Sequence, residues 1–421
     1  MIDKRVLVLS NNCFSKNNSN GRTLLNFFGN DNAEKLAQFY LQSDSPNFYV
    51  CKNYFFASDS TVLKAVLKRK SAGRIVAEAE LRKENLPEST RAHKRIPRNP
   101  LTMLIRNFFW SRKCWRKDFY KWVNDFNPEC VLLQAGDSPF LYNIAVEISK
   151  EQEIPMIIYN SEDYYFKDYN YFRNSGITGI FYPIFRSILK ISVKKAIEYA
   201  SVSVYISDDL KSTYDNEFNQ KSVAIYTATE VEPNFVVDKK AIFSYLGNLG
   251  LDRHIGLIKI AEALNKINSN YRLDVYGKLP NENVGKAFEN CKALNYCGLV
   301  SYERVKEVIA ESMLVFHTES DNAFYCKDIR HGFSTKIADS LASGTCFVIF
   351  APEMLSCTKY VKENNCGCVI TDETQLQEKL AEIIQNEDLR NAYISNALKI
   401  VEKNHNSQKN TEKFAEIINN L

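Results

Sequence analysis

The 421-residue chain has no apolar run near the roughly 18–20 residues that a membrane span needs; its apolar stretches are short, such as Cys346–Ala351. The opening residues MIDKRVLVLS have neither a long apolar core nor a small-residue cleavage site, so no signal peptide is expected. There is no triplet glycine period and no sustained heptad, and aromatic residues reach 12%. Collagen, coiled coil and wholesale disorder are thereby excluded. The chain has no Gly-x-Ser-x-Gly elbow, no Gly-Lys-Ser/Thr phosphate loop and no Gly-x-Gly-x-x-Gly. That argues against hydrolases, P-loop enzymes and nicotinamide dehydrogenases. The five histidines show no ligand spacing, and Cys366-Gly-Cys368 is too close to be a zinc pair on its own, so no metal site is expected. Eleven cysteines form an odd, scattered set in a chain too long to need disulfide staples, which points to a reducing compartment.

What remains is ordinary globular material, with 45% apolar and 25% charged residues, and the length suits two domains. The net charge of +4 hides an uneven distribution. From Arg82 to Lys117 there are eleven Lys/Arg against only Glu84 and Glu88, a local charge of +9. Phe108, Phe109, Trp110 and Trp115 are interleaved with them, and all three tryptophans lie between 110 and 122. Such a segment suits an anionic membrane, a nucleic acid, or simply a solvated basic loop.

Short apolar runs bounded by polar residues recur at 4–10, 48–51, 128–134, 156–159, 200–206 and 222–226, with helical patterns at 115–126 and 141–150. Residues 227–241 are polar and contain Pro233. A second series then follows, with strands at 242–246, 271–276, 294–296, 313–317 and 346–350 and helices at 257–264, 302–310 and 334–343. Helical segments at 374–386, 388–402 and 408–420 end the chain. The alternation predicts two Rossmann-like α/β domains with parallel sheets, joined near 228–241.

Four places could carry chemistry. In YLGNLGLDRHIG (245–256) a strand gives way to a glycine-bearing turn and the pair Arg253–His254 before a helix, a pattern that lets backbone and guanidinium approach a phosphate. In RHGFSTKIADSLASG (330–344) Ser334 is placed to cap a helix whose start would hold an anion. Lys336 and Asp339 follow on one face of that helix, with Lys327 and Arg330 upstream. NNSNGR (17–22) brings Gly21 to the mouth of the first sheet, and YNSEDYYF (159–166) sets Glu162 and Asp163 after a strand, where acid/base residues tend to sit. Each also has a plain alternative: a glycine turn with a surface arginine, a capped helix with an ion pair, a simple turn, and a turn cap.

Taken together, KRVLVLS…NGRTL, YLGNLGLDRHIG and above all HGFSTKIADSLASGTCFV resemble the GT-B glycosyltransferases of the large retaining family 4, or group 1, which builds bacterial surface polysaccharides. The last segment is similar to that family's E-x-F-G-x-x-x-x-E-x-x-A-x-G-x-P-V pattern without gaps, with Phe333, Ser334, Asp339 and Gly344 in place. It departs from the pattern at His331, where a glutamate is usual, and at Cys346, where proline is common.

The resemblance implies an α/β GT-B fold of two Rossmann-like domains facing a central cleft. An acceptor domain would span 1–230 with the basic segment 82–117, and a nucleotide-sugar domain 241–404. A helix at 405–421 would return to the first domain. It implies that Gly21, Gly247, Asn248, Gly250, His254, Arg330, His331, Phe333, Ser334 and Thr335 lie around the donor. Arg253 and Lys336 would face the diphosphate, Asp339 the ribose, and Tyr276–Gly277 the nucleobase. Glu162 and Asp163 would stand near the acceptor. The activity implied is a retaining, metal-independent transfer, with no cofactor, from a nucleotide sugar (UDP rather than GDP) to a saccharide or polyprenyl-linked acceptor. The setting would be capsule, O-antigen (lipopolysaccharide) or exopolysaccharide synthesis. Arg106, Trp110, Arg112, Lys113, Trp115, Arg116 and Lys117 would then dock a peripheral protein on the inner face of the cytoplasmic membrane, with no nucleic acid as partner. An epimerase of the same fold and a non-catalytic saccharide-binding scaffold are the alternatives.

Overall fold

A computed structural model describes residues 1–15, 19–42, 44–78, 97–172, 175–234 and 241–421. Parts of three segments discussed above, namely 17–18, 82–96 and 235–240, lie outside the described residues. The chain divides into two compact units, Met1–Tyr226 with Gln408–Leu421, and Thr227–Ser407.

The first unit is built on an eight-stranded sheet. Its strands are β1 (Val6–Ser10), β2 (Leu36–Tyr40), β3 (Asn53–Phe56), β4 (Arg74–Val76), β5 (Cys130–Gln134), β6 (Met156–Asn160), β7 (Val202–Tyr205) and β8 (Ser222–Ala224). Their order is β4-β3-β2-β1-β5-β6-β7-β8, with the edge strand β4 antiparallel to β3. The central strands are buried on both faces, which is why they read as continuous apolar runs. Residues 48–51 are not the expected strand. They form a turn closed by the Asn47 carbonyl, which accepts from the amides of Val50 and Cys51. Phe48, Val50 and Cys51 are apolar because they fill the core beneath the sheet. The second and third strands are LAQFY and NYFF instead.

The final helix, Ser407–Asn419, belongs to this unit. Its Phe414 stacks on Phe27 at 4.5 Å and meets Phe28 edge-on at 5.5 Å, while Ala415 and Ile418 enter the same core. Positions 414, 415 and 418 share one helix face, so a single stripe seals the sheet.

The second unit holds β9 (Phe243–Leu246), β10 (Leu273–Tyr276), β11 (Leu294–Gly298), β12 (Leu314–Thr318), β13 (Cys346–Phe350) and β14 (Cys368–Ile370). Its order is β11-β10-β9-β12-β13-β14, all parallel. This is the 3-2-1-4-5-6 order whose reversal between the first and fourth strands opens a crevice at their carboxyl ends. Where the chain enters and leaves this unit, His405 is fully buried. Its Nδ1–H donates to the Thr227 carbonyl (2.7 Å) and its Nε2 accepts from the Tyr360 hydroxyl (2.8 Å). Those partners define a neutral imidazole. Burial pulls His405 down to about 4, against the smaller opposing effect of the Thr227 carbonyl.

Phe414→Ala should destabilise the first unit by about 3–5 kcal/mol, as other buried aromatic truncations do; urea unfolding that gives a loss under about 1 kcal/mol would show the returning helix is dispensable. For His405 the folded value lies below the unfolded one. Stability is therefore complete above about pH 6.5 and lost as pH falls toward about 4, by about 3 kcal/mol in total. His405→Gln should remove this pH-dependent part. Parallel stability–pH curves for the two proteins over that window would refute it.

Candidate functional site

In the second unit the crevice between β9 and β12 is bordered by the loops the sequence singled out. The Gly247 amide donates to Tyr276 O (2.9 Å) and the Gly277 amide to Gly298 O (2.8 Å). A Cβ on Gly277 would fall 2.2 Å from Gly247 O, so these two loops meet backbone to backbone. Asn248 shapes its own turn, its Oδ1 accepting from the Gly250 amide (2.7 Å) and its carbonyl from the Tyr245 hydroxyl (2.7 Å). Leu251 and Asp252 both adopt left-handed backbone (φ 63° and 58°), a costly pair for residues other than glycine. That reversal delivers Arg253 as the first residue of the helix Arg253–Ile267.

Arg253 does not stand open in the crevice. Its guanidinium forks onto Glu319, just past β12, with Nε–Oε2 at 2.7 Å and Nη2–Oε1 at 2.8 Å. Glu319 Oε1 is also 3.1 Å from His317 Nε2. Burial pushes Glu319 up, but the hydrogen bond and charge of His317 and the charge of Arg253 outweigh it and hold the carboxyl below its ordinary value. Burial pulls Arg253 down, and Glu319 more than restores it. Glu319 escaped sequence reasoning. The available signal was an acid directly after the apolar strand LVFHT. His254, one residue along, has a buried Nδ1 with no hydrogen-bond partner among the described residues. Tyr276 leans on Cys297, its hydroxyl pushed up to about 12 first by burial and then by that thiol.

The motif segment 330–344 lies in the same unit. Arg330 is exposed and His331 buried. Phe333 is packed rather than presented: its ring stacks on His405 (5.7 Å) and meets Tyr360 edge-on (5.0 Å), so it holds the loop in place. Ser334 is the extended residue before the helix Thr335–Ala342, but its hydroxyl makes no cap bond, contrary to expectation. Lys336 is exposed and Asp339 buried. Asp339 Oδ1 accepts from the Thr229 hydroxyl (2.6 Å) and lies 3.5 Å from the Tyr302 hydroxyl. Gly344 ends the helix at φ 75°, the left-handed conformation glycine adopts without strain.

In the first unit the acid/base expectation shifts. Asp163 is buried, and its Oδ1 accepts from the Tyr214 hydroxyl (2.8 Å) and the amides of Tyr165 (3.0 Å) and Phe166 (2.8 Å). It organises a turn, and Glu162 is exposed with Lys167 at 3.8 Å. Gly21 sits in the helix Ser19–Leu25, where a Cβ would strike Cys13 O at 2.5 Å, so it serves a close backbone approach. At this unit's own strand-order reversal, between β1 and β5, the polar groups are others. Asp137 pairs with Arg98. Arg106 bridges Asp59 (2.7 Å) and Ser138 (2.7 Å), and the Ser138 hydroxyl reaches Asn11 Oδ1 (3.2 Å).

Most of the expected membrane contacts are therefore internal. Trp110 and Trp115 are 1% and 0% exposed. Trp110 stacks on Phe140 (4.7 Å) and donates to Asp59 (2.7 Å), and Trp115 donates to the Trp110 carbonyl (3.0 Å). Arg116 is buried against Glu147 (3.0 Å) and the Trp110 carbonyl (3.1 Å), and Lys113 also pairs with Glu147 (2.8 Å). The aromatics of the segment are core, and several of its cations neutralise carboxylates that the helices bring inward. Arg112, lying over the Phe108 ring (4.0 Å), Lys113 and Lys117 stay exposed.

Residues 228–400 match the family model described as glycosyl transferases group 1. Among solved structures, Anabaena HepE in complex with UDP and glucose aligns at 10% identity and a TM-score of 0.63, over 99% of this chain and 100% of that one. Sucrose-phosphate synthase from Thermosynechococcus elongatus aligns at 11% and 0.62, over 98% and 97%. WaaG, a glycosyltransferase involved in lipopolysaccharide biosynthesis, aligns at 11% and 0.57, over 98% and 99%. At such identities the structural likeness is one of fold. No curated protein matches the chain.

Proposed function

We propose that this chain, with the fold of the GT-B glycosyltransferases and a group 1 match over residues 228–400, is a glycosyltransferase that moves a sugar from a UDP-sugar to a lipid-linked saccharide. The transfer is retaining and metal-independent and serves cell-envelope polysaccharide synthesis. The observation that carries this reading is the grouping, in one unit, of Arg253 at a helix start beside the β9–β12 crevice with the 330–344 motif and its buried Asp339. UDP is favoured because the HepE structures hold UDP or UDP-glucose.

Departure of the nucleoside diphosphate leaves negative charge on its terminal phosphate. Arg253, Lys336 and the amides at the start of the helix Thr335–Ala342 supply the opposing charge and dipole. Glu319 acts as a positioning residue, holding the Arg253 fork at the strand ends until a phosphate competes for it. Asp339 takes the ribose hydroxyls, as its placement one turn into that helix suits. The acceptor oxygen bonds to the sugar carbon, the bond from that carbon to the diphosphate breaks, and the acceptor proton leaves with the UDP. Docking on the inner face of the cytoplasmic membrane supplies the lipid-linked acceptor.

Arg253→Ala alone would strand Glu319 as a buried unpaired charge, so the informative variant is Arg253→Ala with Glu319→Gln. Its UDP affinity by calorimetry should fall about tenfold or more, the loss of a charge-assisted phosphate contact; unchanged affinity in a folded protein would overturn the assignment. Asp339→Asn should weaken UDP binding while leaving pyrophosphate binding unchanged, and an equal loss of both would make Asp339 structural. UDP release that requires an acceptor marks a transferase, whereas donor epimerised without acceptor would refute transfer.

A further inference from the structure

The first unit exposes an apolar face that its core does not explain. A short 3-10 turn, Gly176–Phe181, runs into the helix Tyr182–Tyr199. Residues 176–199 are long and apolar enough to cross a membrane by length and composition, although most of the stretch is not buried within the chain. The inner side of this helix is fixed. Phe185, Leu189, Val193, Ala196 and Ile197 are buried, and Arg186 donates to the carbonyls of Tyr164 (2.9 Å) and Tyr165. The segment therefore lies on the sheet and does not leave it to span a bilayer. Its outer side carries Ile177 (86% exposed), Ile180 (71%), Ile184 (54%) and Ile191 (67%). The spacings of three, four and seven residues keep them on one side over about 20 Å. The helix Pro100–Trp110 packs beside this element and adds exposed Ile105 and Phe108.

The charges on these elements have mostly one sign. Lys190, Lys194 and Lys195 follow the isoleucines, and Arg112 follows Phe108, all exposed. Among the described residues the helix itself carries one acid, Glu198, 3.7 Å from Lys194. A row of exposed apolar side chains with basic neighbours has the composition of an interaction site. Isoleucines entering the headgroup boundary with lysines against anionic lipid is the interfacial arrangement. A two-fold contact with a second copy would bring the same lysines into one interface, at a cost in like-charge repulsion.

We propose that the face formed by Ile177, Ile180, Ile184 and Ile191 with Ile105 and Phe108 docks this protein on an anionic bilayer, in place of the tryptophans buried within it. The purpose of such docking rests on the lipid-linked acceptor proposed above. The docking itself is read without any transfer, so the two can fail separately.

The test is sedimentation of the full chain with vesicles of phosphatidylglycerol and phosphatidylethanolamine, against vesicles of phosphatidylcholine alone. Wild type should pellet with the anionic vesicles. Ile180→Asp with Ile184→Asp should lower the partition coefficient about tenfold or more. Lys190→Ser, Lys194→Ser and Lys195→Ser together should lower it several-fold at low salt and little at high salt, where the attraction is screened. Both variants should keep the wild-type far-UV circular dichroism and urea midpoint, which reports that the first unit is folded. Ile177→Asp, on the 3-10 turn, gives a second apolar probe with less risk to the helix. The proposal is overturned if wild type does not pellet, or if the aspartate variants pellet undiminished. It is equally overturned if sedimentation velocity shows a dimer that Ile180→Asp with Ile184→Asp dissolves while vesicles stay unbound, or if duplex RNA binds tightly and vesicles do not.

Discussion

The second unit depends on one buried ion pair. Arg253 begins the helix after β9 and Glu319 follows β12, the two neighbouring strands whose connections run to opposite sides of the sheet. At such a reversal nothing in the ladder holds the loops together, and the bidentate contact does so with 11% and 6% of the two side chains exposed. Removing one partner from a buried pair is costed at about 3–5 kcal/mol, because the other charge is left without compensation. The geometry that supports it is equally tight: a Cβ on Gly256 would sit 2.3 Å from the Thr318 hydroxyl, so only glycine lets the helix lie this close to β12. An anion entering the crevice meets a guanidinium already aimed and already charged, and competes with one carboxylate instead of ordering a loose side chain.

How much of this was legible follows from where each feature's cause lies. Strands buried on both faces announce themselves as apolar runs, so β1, β5, β6, β9, β12 and β13 could be read to within a residue or two. Phe48–Cys51 carries the same apolar signal for a different reason, core filling from a turn, and composition alone does not separate the two. The edge strand β4, with three residues and two of them exposed, has no run to announce it. Phe333 and Asp339 could be located from a local pattern, but their partners could not. His405 and Thr229 lie 72 and 110 residues away in the chain, and only the folded unit brings them together.

The basic aromatic segment shows the same limit from the charge side. Eleven cations against two acids is a property of the sequence; of the six cations among the described residues, Arg116 is buried and Arg106 half-buried, while Arg98, Arg112, Lys113 and Lys117 are exposed. Asp59 and Glu147 arrive from other helices to neutralise Arg106, Lys113 and Arg116, and Phe39 and Phe140 arrive to cover Trp110 and Trp115. Tryptophan is large and apolar enough to serve a core or an interface equally well. Which it serves depends on what the rest of the fold places against it.

The helix Tyr182–Tyr199 inverts that lesson. Its isoleucines are diluted by Arg186, Lys190 and the lysine pair, so no apolar run stands out in the sequence, yet the helix is apolar on two opposite sides. One side is accounted for by the sheet beneath it. A solvent-facing helix normally spends its outer positions on polar residues, and here a row of β-branched side chains stands in water instead. β-Branched residues are also indifferent helix formers, so helix propensity is no reason to keep them there. Among the described residues neither the core nor the backbone requires this row, and the lysines beside it have the sign that an anionic surface attracts. That unmatched row is what the proposed bilayer contact would account for.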